Sequence, residues 1–100
     1  MLFGSIVSSP RASLLPLQLL ELANIYLEDA SNTTDSEIAL VLCHDTELSL
    51  SQARKSSKHD KNQAMIDGIA AAYISLGKLL ESRGHVTEAE ASFKKAESLG

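Results

Sequence analysis

The clearest pattern of apolar and polar positions lies in the C-terminal third of the chain. Between Tyr73 and Leu99, bulky apolar residues recur at steps of three and four, the spacing of one face of an α-helix. Small residues stand where a second helix would have to approach closely: Gly77, Ala89 and Ala96. Gly84 is well placed to end a helix in the left-handed conformation. The pattern predicts an antiparallel helical hairpin at 61–99 with its turn at Gly84.

The first half of the chain predicts a second hairpin, at 14–55. Its first helix is expected to run to about Asp29, with these residues on one face: Leu19, Leu22, Ala23 and Tyr26. A polar break follows, in which Thr34 and Glu37 have the spacing of a capping box. We therefore expect a second helix from Thr34 to about Lys55. A hydrophilic loop at 55–61 joins the two hairpins.

Residues 1–12 have no helical periodicity and contain Gly4 and Pro10, so we predict an irregular apolar N-terminal arm. The remaining residues, 13–100, are predicted to form one four-helix domain. Alanine, leucine, glutamate and lysine are common in this chain, whereas valine and threonine are few, which favours helix over sheet. The predicted fold is all-α, with two antiparallel helix–turn–helix hairpins stacked on each other.

Within 70–100, eight large or small residues keep a fixed spacing: Tyr73, Leu76, Gly77, Leu80, Gly84, Ala89, Phe93 and Ala96. On these residues the second hairpin resembles the tetratricopeptide repeat (TPR) family, whose unit is a helix–turn–helix of about 34 residues. Tyr73 stands where tryptophan is commoner and Leu80 where tyrosine is commoner, and both keep the bulk. The first hairpin resembles a divergent copy of the same unit. The resemblance implies a short TPR-like α-solenoid of two repeats.

The resemblance also implies a concave groove, lined by the first helix of each repeat, that binds a peptide or a partner helix. The groove positions in this chain would be Leu17, Leu20, Asn24, Leu27, Ile74, Lys78 and Glu81. Four of these residues are apolar and would form an exposed patch unless the N-terminal arm, a partner helix or a second copy of the chain covered them. A competing interpretation is that these positions are only the uncovered rim of a structural hairpin.

The net charge restricts the kind of partner, and the cysteine content indicates the compartment. The net charge of −4 argues against nucleic acid, which requires clustered lysine and arginine. No apolar run approaches the ~20 residues of a membrane span. Cys43 is the single cysteine and cannot form an internal disulfide, which favours a reducing, cytoplasmic compartment. The expected partner is a protein or peptide, with a homodimer as a second possibility.

The sequence contains no motif that indicates catalysis, a cofactor or a bound metal. Cys43 and His44 are adjacent, so on a helix they point about 100° apart and do not form a nucleophile–base pair. The three histidines lack metal-ligand spacing, and no glycine-rich nucleotide loop occurs. We therefore predict a non-enzymatic protein–protein interaction module. The alternative is a structural assembly element that dimerises or stacks on further repeats through the same apolar face.

Overall fold

The computed structural model describes residues 16–56 and 63–99. These residues form four α-helices and no strand: α1 (Pro16–Asn32), α2 (Ser36–Ser56), α3 (Gln63–Ser82) and α4 (Val86–Leu99). The prediction of an all-α fold is confirmed for this part of the chain. The predicted arm at 1–12 and most of the predicted loop at 55–61 lie outside the described residues.

The break between α1 and α2 is shorter than predicted, and a different residue caps α2. Helix α1 continues beyond Asp29 to Asn32, and the carbonyl of Asp29 accepts a hydrogen bond from the Thr33 amide at 3.1 Å. The side chain of Asp35, rather than that of Thr34, caps α2. Its Oδ1 accepts hydrogen bonds from the backbone amides of Glu37 at 2.9 Å and Ile38 at 3.2 Å. Asp35 thereby satisfies two amides that have no partner within the helix.

The turn between α3 and α4 is built around Gly84, as predicted. Gly84 has a φ of +89°, a conformation that residues with a Cβ adopt only with strain. Its amide donates to the carbonyl of Glu81 at 3.1 Å, and the amide of His85 donates to the carbonyl of Leu80 at 2.8 Å. These two bonds form a Schellman motif, which satisfies the last carbonyls of α3 and reverses the chain into α4.

Helix α3 holds the two hairpins together. It packs against α4 within its own hairpin and also contacts both α1 and α2 of the first hairpin. Its buried face carries Ile69, Ala72, Tyr73, Leu76, Gly77 and Leu80. These side chains join one continuous apolar core with residues of the other three helices, among them Leu19, Ala23, Leu50, Ala89 and Ala96. This arrangement is consistent with two stacked helical hairpins.

Two glycines in α3 allow close contact with the helices on either side. A Cβ added at Gly77 would lie 2.6 Å from Cε1 and 2.9 Å from Cδ1 of Phe93, so the phenyl ring of α4 occupies the space over this glycine. A Cβ added at Gly68 would lie 2.8 Å from the Cδ2 methyl of Leu20 in α1. The absence of a side chain at both positions thus sets how closely α3 approaches α4 and α1.

Arg83, at the end of α3, connects the ends of the two hairpins. Its Nη2 donates to the carbonyl of Ala30 at 3.0 Å and to the carbonyl of Thr33 at 2.7 Å. The last carbonyls of a helix lack intrahelical partners and carry partial negative charge, so a guanidinium is well suited to this position. Arg83 therefore fixes the end of α3 against the turn between α1 and α2.

Substituting these two glycines separately tests the close packing of α3. Gly77→Ala should lower the free energy of unfolding by up to about 2 kcal/mol, because overpacking against the Phe93 ring costs ~1–3 kcal/mol and the gain in helix propensity offsets only ~1 kcal/mol. Gly68→Ala should be close to neutral, because its added methyl meets only the terminal methyl of a flexible leucine. Urea denaturation measures both changes.

A double-mutant cycle provides the control for this interpretation. Combining Gly77→Ala with Phe93→Leu should be less destabilising than the sum of the two single changes, because the smaller side chain leaves room for the new methyl group. Additive effects would show that the cost at Gly77 does not come from contact with Phe93.

Candidate functional site

A cleft of about 520 Å³ lies between α2 and α4 and is open to solvent. Both helices rest on α3, which separates them and supplies the floor of the cleft through Leu76 and Leu80. The wall from α2 consists of Leu40, Val41, Cys43, His44 and Glu47, and the wall from α4 consists of Glu88, Ala91, Ser92 and Lys95. The volume falls in the range of ~300–1,000 Å³ that is usual for ligand sites.

The cleft is apolar inside and polar at its rim. Leu40 and Val41 remain 40% and 60% exposed although they are large aliphatic side chains, and Ala91 faces them from α4. Leu76 and Leu80 are buried beneath them. An apolar interior with a few polar groups around it is suited to bulky apolar side chains whose orientation the rim would fix.

Polar contacts between α2 and α4 close one end of the cleft. Lys95 forms an ion pair with Glu47, and its Nζ lies 5.8 Å from the centroid of the Tyr73 ring. Further along, Nη2 of Arg54 donates to Oγ of Ser98 at 3.1 Å. Each contact is partly exposed and contributes little stability alone, but together they fix the distance between the two helices.

Glu88 gives the opposite end of the cleft a negative charge. It lies in the first turn of α4, where the helix dipole favours a carboxylate. Within residues 16–56 and 63–99 the structure records no ion pair of Glu88. The cleft therefore has one end with neutralised charges and one end that would attract a cation.

The residues predicted to line a groove on α1 and α3 divide into two groups. Leu17, Asn24, Ile74, Lys78 and Glu81 are exposed on these helices. Leu20 and Leu27 are buried, at 9% exposure each. The expectation that these two leucines contribute to an exposed patch therefore needs correction, because both belong to the core and Leu20 packs against Gly68 of α3. Of the four apolar residues predicted for the groove, only Leu17 and Ile74 are exposed.

The residues of the cleft are not among those predicted from the sequence, although α2 carries a signal that points to them. The buried side of α2 consists, apart from Leu50, of small residues: Ala39, Cys43, Thr46, Ser49 and Ala53. Four large aliphatic residues of the same helix fall on its other sides and are exposed: Ile38, Leu40, Val41 and Leu48. More apolar residues than one buried face can accommodate indicate a helix with a second contact surface.

Cys43, the residue considered as a nucleophile, has a structural role in the core. Cys43 is a buried free thiol, and burial raises its pKa although the charge of Arg83 opposes this effect. The thiol is therefore protonated near neutral pH and lacks the thiolate form that nucleophilic catalysis needs. No group of three histidine, cysteine or acidic side chains in the described residues could hold a metal ion. None of the described helices is long and apolar enough to cross a bilayer.

Tyr73 lies under the closed end of the cleft, and its pKa is strongly raised. It is 1% exposed, and its pKa is raised to about 12. Burial is the main cause, since it disfavours the phenolate, and the nearby negative charge of Glu47 adds to it while Arg54 opposes it. The neutral phenol is therefore part of the packing between α3 and the Glu47–Lys95 pair.

The raised pKa of Tyr73 predicts that the folded chain loses stability in alkaline solution. The unfolded chain releases the Tyr73 proton near pH 10, whereas the folded chain keeps it to about pH 12. The stabilisation is thus fully present below pH 10 and is lost as pH rises towards 12, by up to about 3 kcal/mol. Urea denaturation between pH 9 and 12 should show a shallower decline for Tyr73→Phe than for the unmodified chain, and parallel curves would contradict this assignment.

No protein-family model matches the chain, and no curated protein or solved structure is significantly similar. The resemblance to tetratricopeptide repeats consequently remains a prediction that rests on the spacing of Tyr73 to Ala96.

Proposed function

We propose that this chain is a non-enzymatic protein-interaction module, built as a short TPR-like α-solenoid, that binds an amphipathic helix of a partner protein. The observation that carries the proposal is the apolar cleft between α2 and α4, in which Leu40 and Val41 stay exposed above a floor of Leu76 and Leu80. A protein that exposes such residues beside a preformed cavity commonly uses them for binding.

The TPR-like part of the proposal is supported by how the second hairpin packs. The motif residues Tyr73, Leu76, Leu80, Ala89 and Ala96 are buried in the core. Gly77 and Phe93, at the glycine and aromatic positions of the motif, are in direct contact between α3 and α4. Helix α3 contacts both helices of the preceding hairpin, as stacking of successive repeats requires.

The charges around the cleft define the chemistry of the partner helix. Two or three bulky aliphatic or aromatic side chains would fill the space between Leu40 and Ala91. A lysine or arginine at one end of these residues would pair with Glu88. Each buried side chain contributes about 1.5–3 kcal/mol, from which the cost of association must be subtracted, so we expect micromolar affinity.

Two further properties belong to the same proposal. The net charge of −4 favours a basic protein segment over nucleic acid as the partner. The single cysteine, buried as a free thiol, suits a reducing compartment, and we place the module in the cytoplasm on that ground. The non-enzymatic character rests on the burial of Cys43, the strongest candidate nucleophile.

A matched pair of substitutions tests which surface binds. The probe is a peptide of about 20 residues selected from a displayed library of amphipathic helices, with affinity measured by fluorescence anisotropy. Leu40 and Ile74 have the same exposure, 40%, but Leu40 lines the cleft and Ile74 lies in the groove predicted on α1 and α3. Leu40→Gln should weaken binding about tenfold or more, because it removes an apolar wall, and Ile74→Gln should leave the affinity unchanged.

The negative charge of Glu88 at the rim of the cleft allows a second test, in which the affinity for the same peptide is measured at different salt concentrations. Glu88→Gln should weaken binding at low salt and lessen the salt dependence of the affinity, because it removes the partner of the basic residue. If Ile74→Gln weakens binding while Leu40→Gln does not, the groove on α1 and α3 is the binding site and the assignment to the cleft is wrong.

A further inference from the structure

The outer side of α2 carries a second regular pattern, distinct from the residues that form the core. Six residues follow one another at steps of four, three, four, three and four: Glu37, Val41, His44, Leu48, Ser51 and Lys55. The core residues of α2, such as Cys43 and Leu50, project from the opposite side. We call this row of six the α2 seam. Its two aliphatic residues are large and open to solvent, with Val41 at 60% and Leu48 at 48% exposure.

Alternating steps of four and three are the spacing by which one α-helix packs lengthwise along another. Helix α2 is 21 residues long, which gives the seam about five turns for such a contact. Helices α1 and α3 cover the core residues of α2, which project away from the seam. Two seam residues, Val41 and His44, border the cleft towards α4, and no described helix covers Leu48 or Lys55, which are exposed.

The charges at the two ends of the seam indicate which kind of helix can pack on it. Its first residue, Glu37, is acidic and lies in the first turn of α2, whereas its last residue, Lys55, is basic and lies in the last turn. A second copy of α2 running antiparallel would place Lys55 of that copy beside Glu37, and Glu37 of that copy beside Lys55. A parallel second copy would instead bring like charges together at both ends. Only the antiparallel arrangement is complementary in charge, and it is also two-fold symmetric.

We infer that the chain forms a symmetric homodimer in which the α2 seams of two copies pack antiparallel. A Glu37–Lys55 pair lies at each end, and this register places Leu48 of each copy against His44 of the other near the two-fold axis and Val41 against Ser51. The dimer is concentration-dependent, because each copy contributes only two large aliphatic side chains. This inference does not rest on the proposed function, although Val41 and His44 belong to both surfaces, so a helix bound in the cleft would compete with the dimer. The two are tested separately, because Leu48 is outside the cleft and Leu40 is outside the seam.

The first test compares two equivalent apolar-to-acidic substitutions by sedimentation equilibrium from about 10 μM to about 1 mM. The unmodified chain should show a dimer at the upper end of this range. Leu48→Glu should raise the dissociation constant at least tenfold, because it places a charge in the middle of the seam. Ile25→Glu is the matched control, since Ile25 is slightly more exposed than Leu48, at 54% against 48%, but lies on α1. It should leave the dissociation constant unchanged.

A charge-exchange experiment tests the antiparallel direction. Glu37→Lys alone places lysine beside lysine at both ends of the contact, and Lys55→Glu alone places glutamate beside glutamate, so each variant should dimerise at least several-fold more weakly. Mixing the two variants should restore the affinity, because every end of the mixed dimer then joins opposite charges. A parallel mixed dimer would do the same, so the direction is decided by the single variants, which in a parallel dimer would associate as well as the unmodified chain. Helical circular dichroism of each variant verifies that both remain folded.

Three outcomes would overturn the inference. A chain that stays monomeric up to about 1 mM does not use the seam for self-association. A dimer that Leu48→Glu leaves intact, or that Ile25→Glu disrupts equally, uses another surface. A mixture of the Glu37→Lys and Lys55→Glu variants that associates no better than either variant alone excludes the antiparallel direction. Loss of peptide binding in Leu40→Gln, by contrast, has no bearing on the dimer.

Discussion

Close approach of α3 to the helices on both of its sides is the constraint on which the rest of the structure depends. Gly77 leaves room for the ring of Phe93 on one side, and Gly68 leaves room for the end of Leu20 on the other. Glycine costs about 1 kcal/mol relative to alanine inside a helix, so its presence at both contacts is consistent with a gain in packing that offsets this cost. Because α3 approaches so closely, its large residues Tyr73, Leu76 and Leu80 reach the core of both hairpins.

The central position of α3 also determines which surfaces of the other helices remain exposed to solvent. On the side of α1, close packing buries Leu20 and Leu27, so that of the four apolar residues predicted to line a groove only Leu17 and Ile74 stay exposed. On the other side, α2 and α4 both rest on α3 without filling the space between them, and the cleft results. Its width is set at one end by the Glu47–Lys95 ion pair above Tyr73. The apolar surface available to partners is thus associated with α2 more than with the first helix of each hairpin.

Sequence periodicity is sufficient to predict the helices, because helix formation depends on local rules. The four helices, the left-handed Gly84 and the burial of Cys43 all follow from spacing and residue type. The cap of α2 was assigned to Thr34 instead of Asp35 because the run Thr33-Thr34-Asp35-Ser36 contains four residues able to cap a helix. Spacing identified the capping region but not the residue within it.

The open surfaces could not be predicted in the same way, because burial of a helix face depends on its neighbours. Leu17, Leu20 and Leu27 look alike in sequence, yet the second and third are buried in the core and the first is exposed. Val41 and Leu48 likewise lie on α2 among its core residues, and spacing alone does not decide which apolar stripe of that helix faces inward. Such a decision requires the arrangement of the hairpins, which a family resemblance suggests only in outline.

The two hydrogen bonds of Arg83 have a consequence for how the domain comes apart. In stacked helical repeats, each unit owes part of its stability to the interface with its neighbour, and a weak interface lets units melt one at a time. Here the final turn of the first helix obtains a donor for its carbonyls from the opposite hairpin. Loss of either hairpin would leave those carbonyls, or that guanidinium, without its partner. The two halves are therefore expected to melt together as a single cooperative unit.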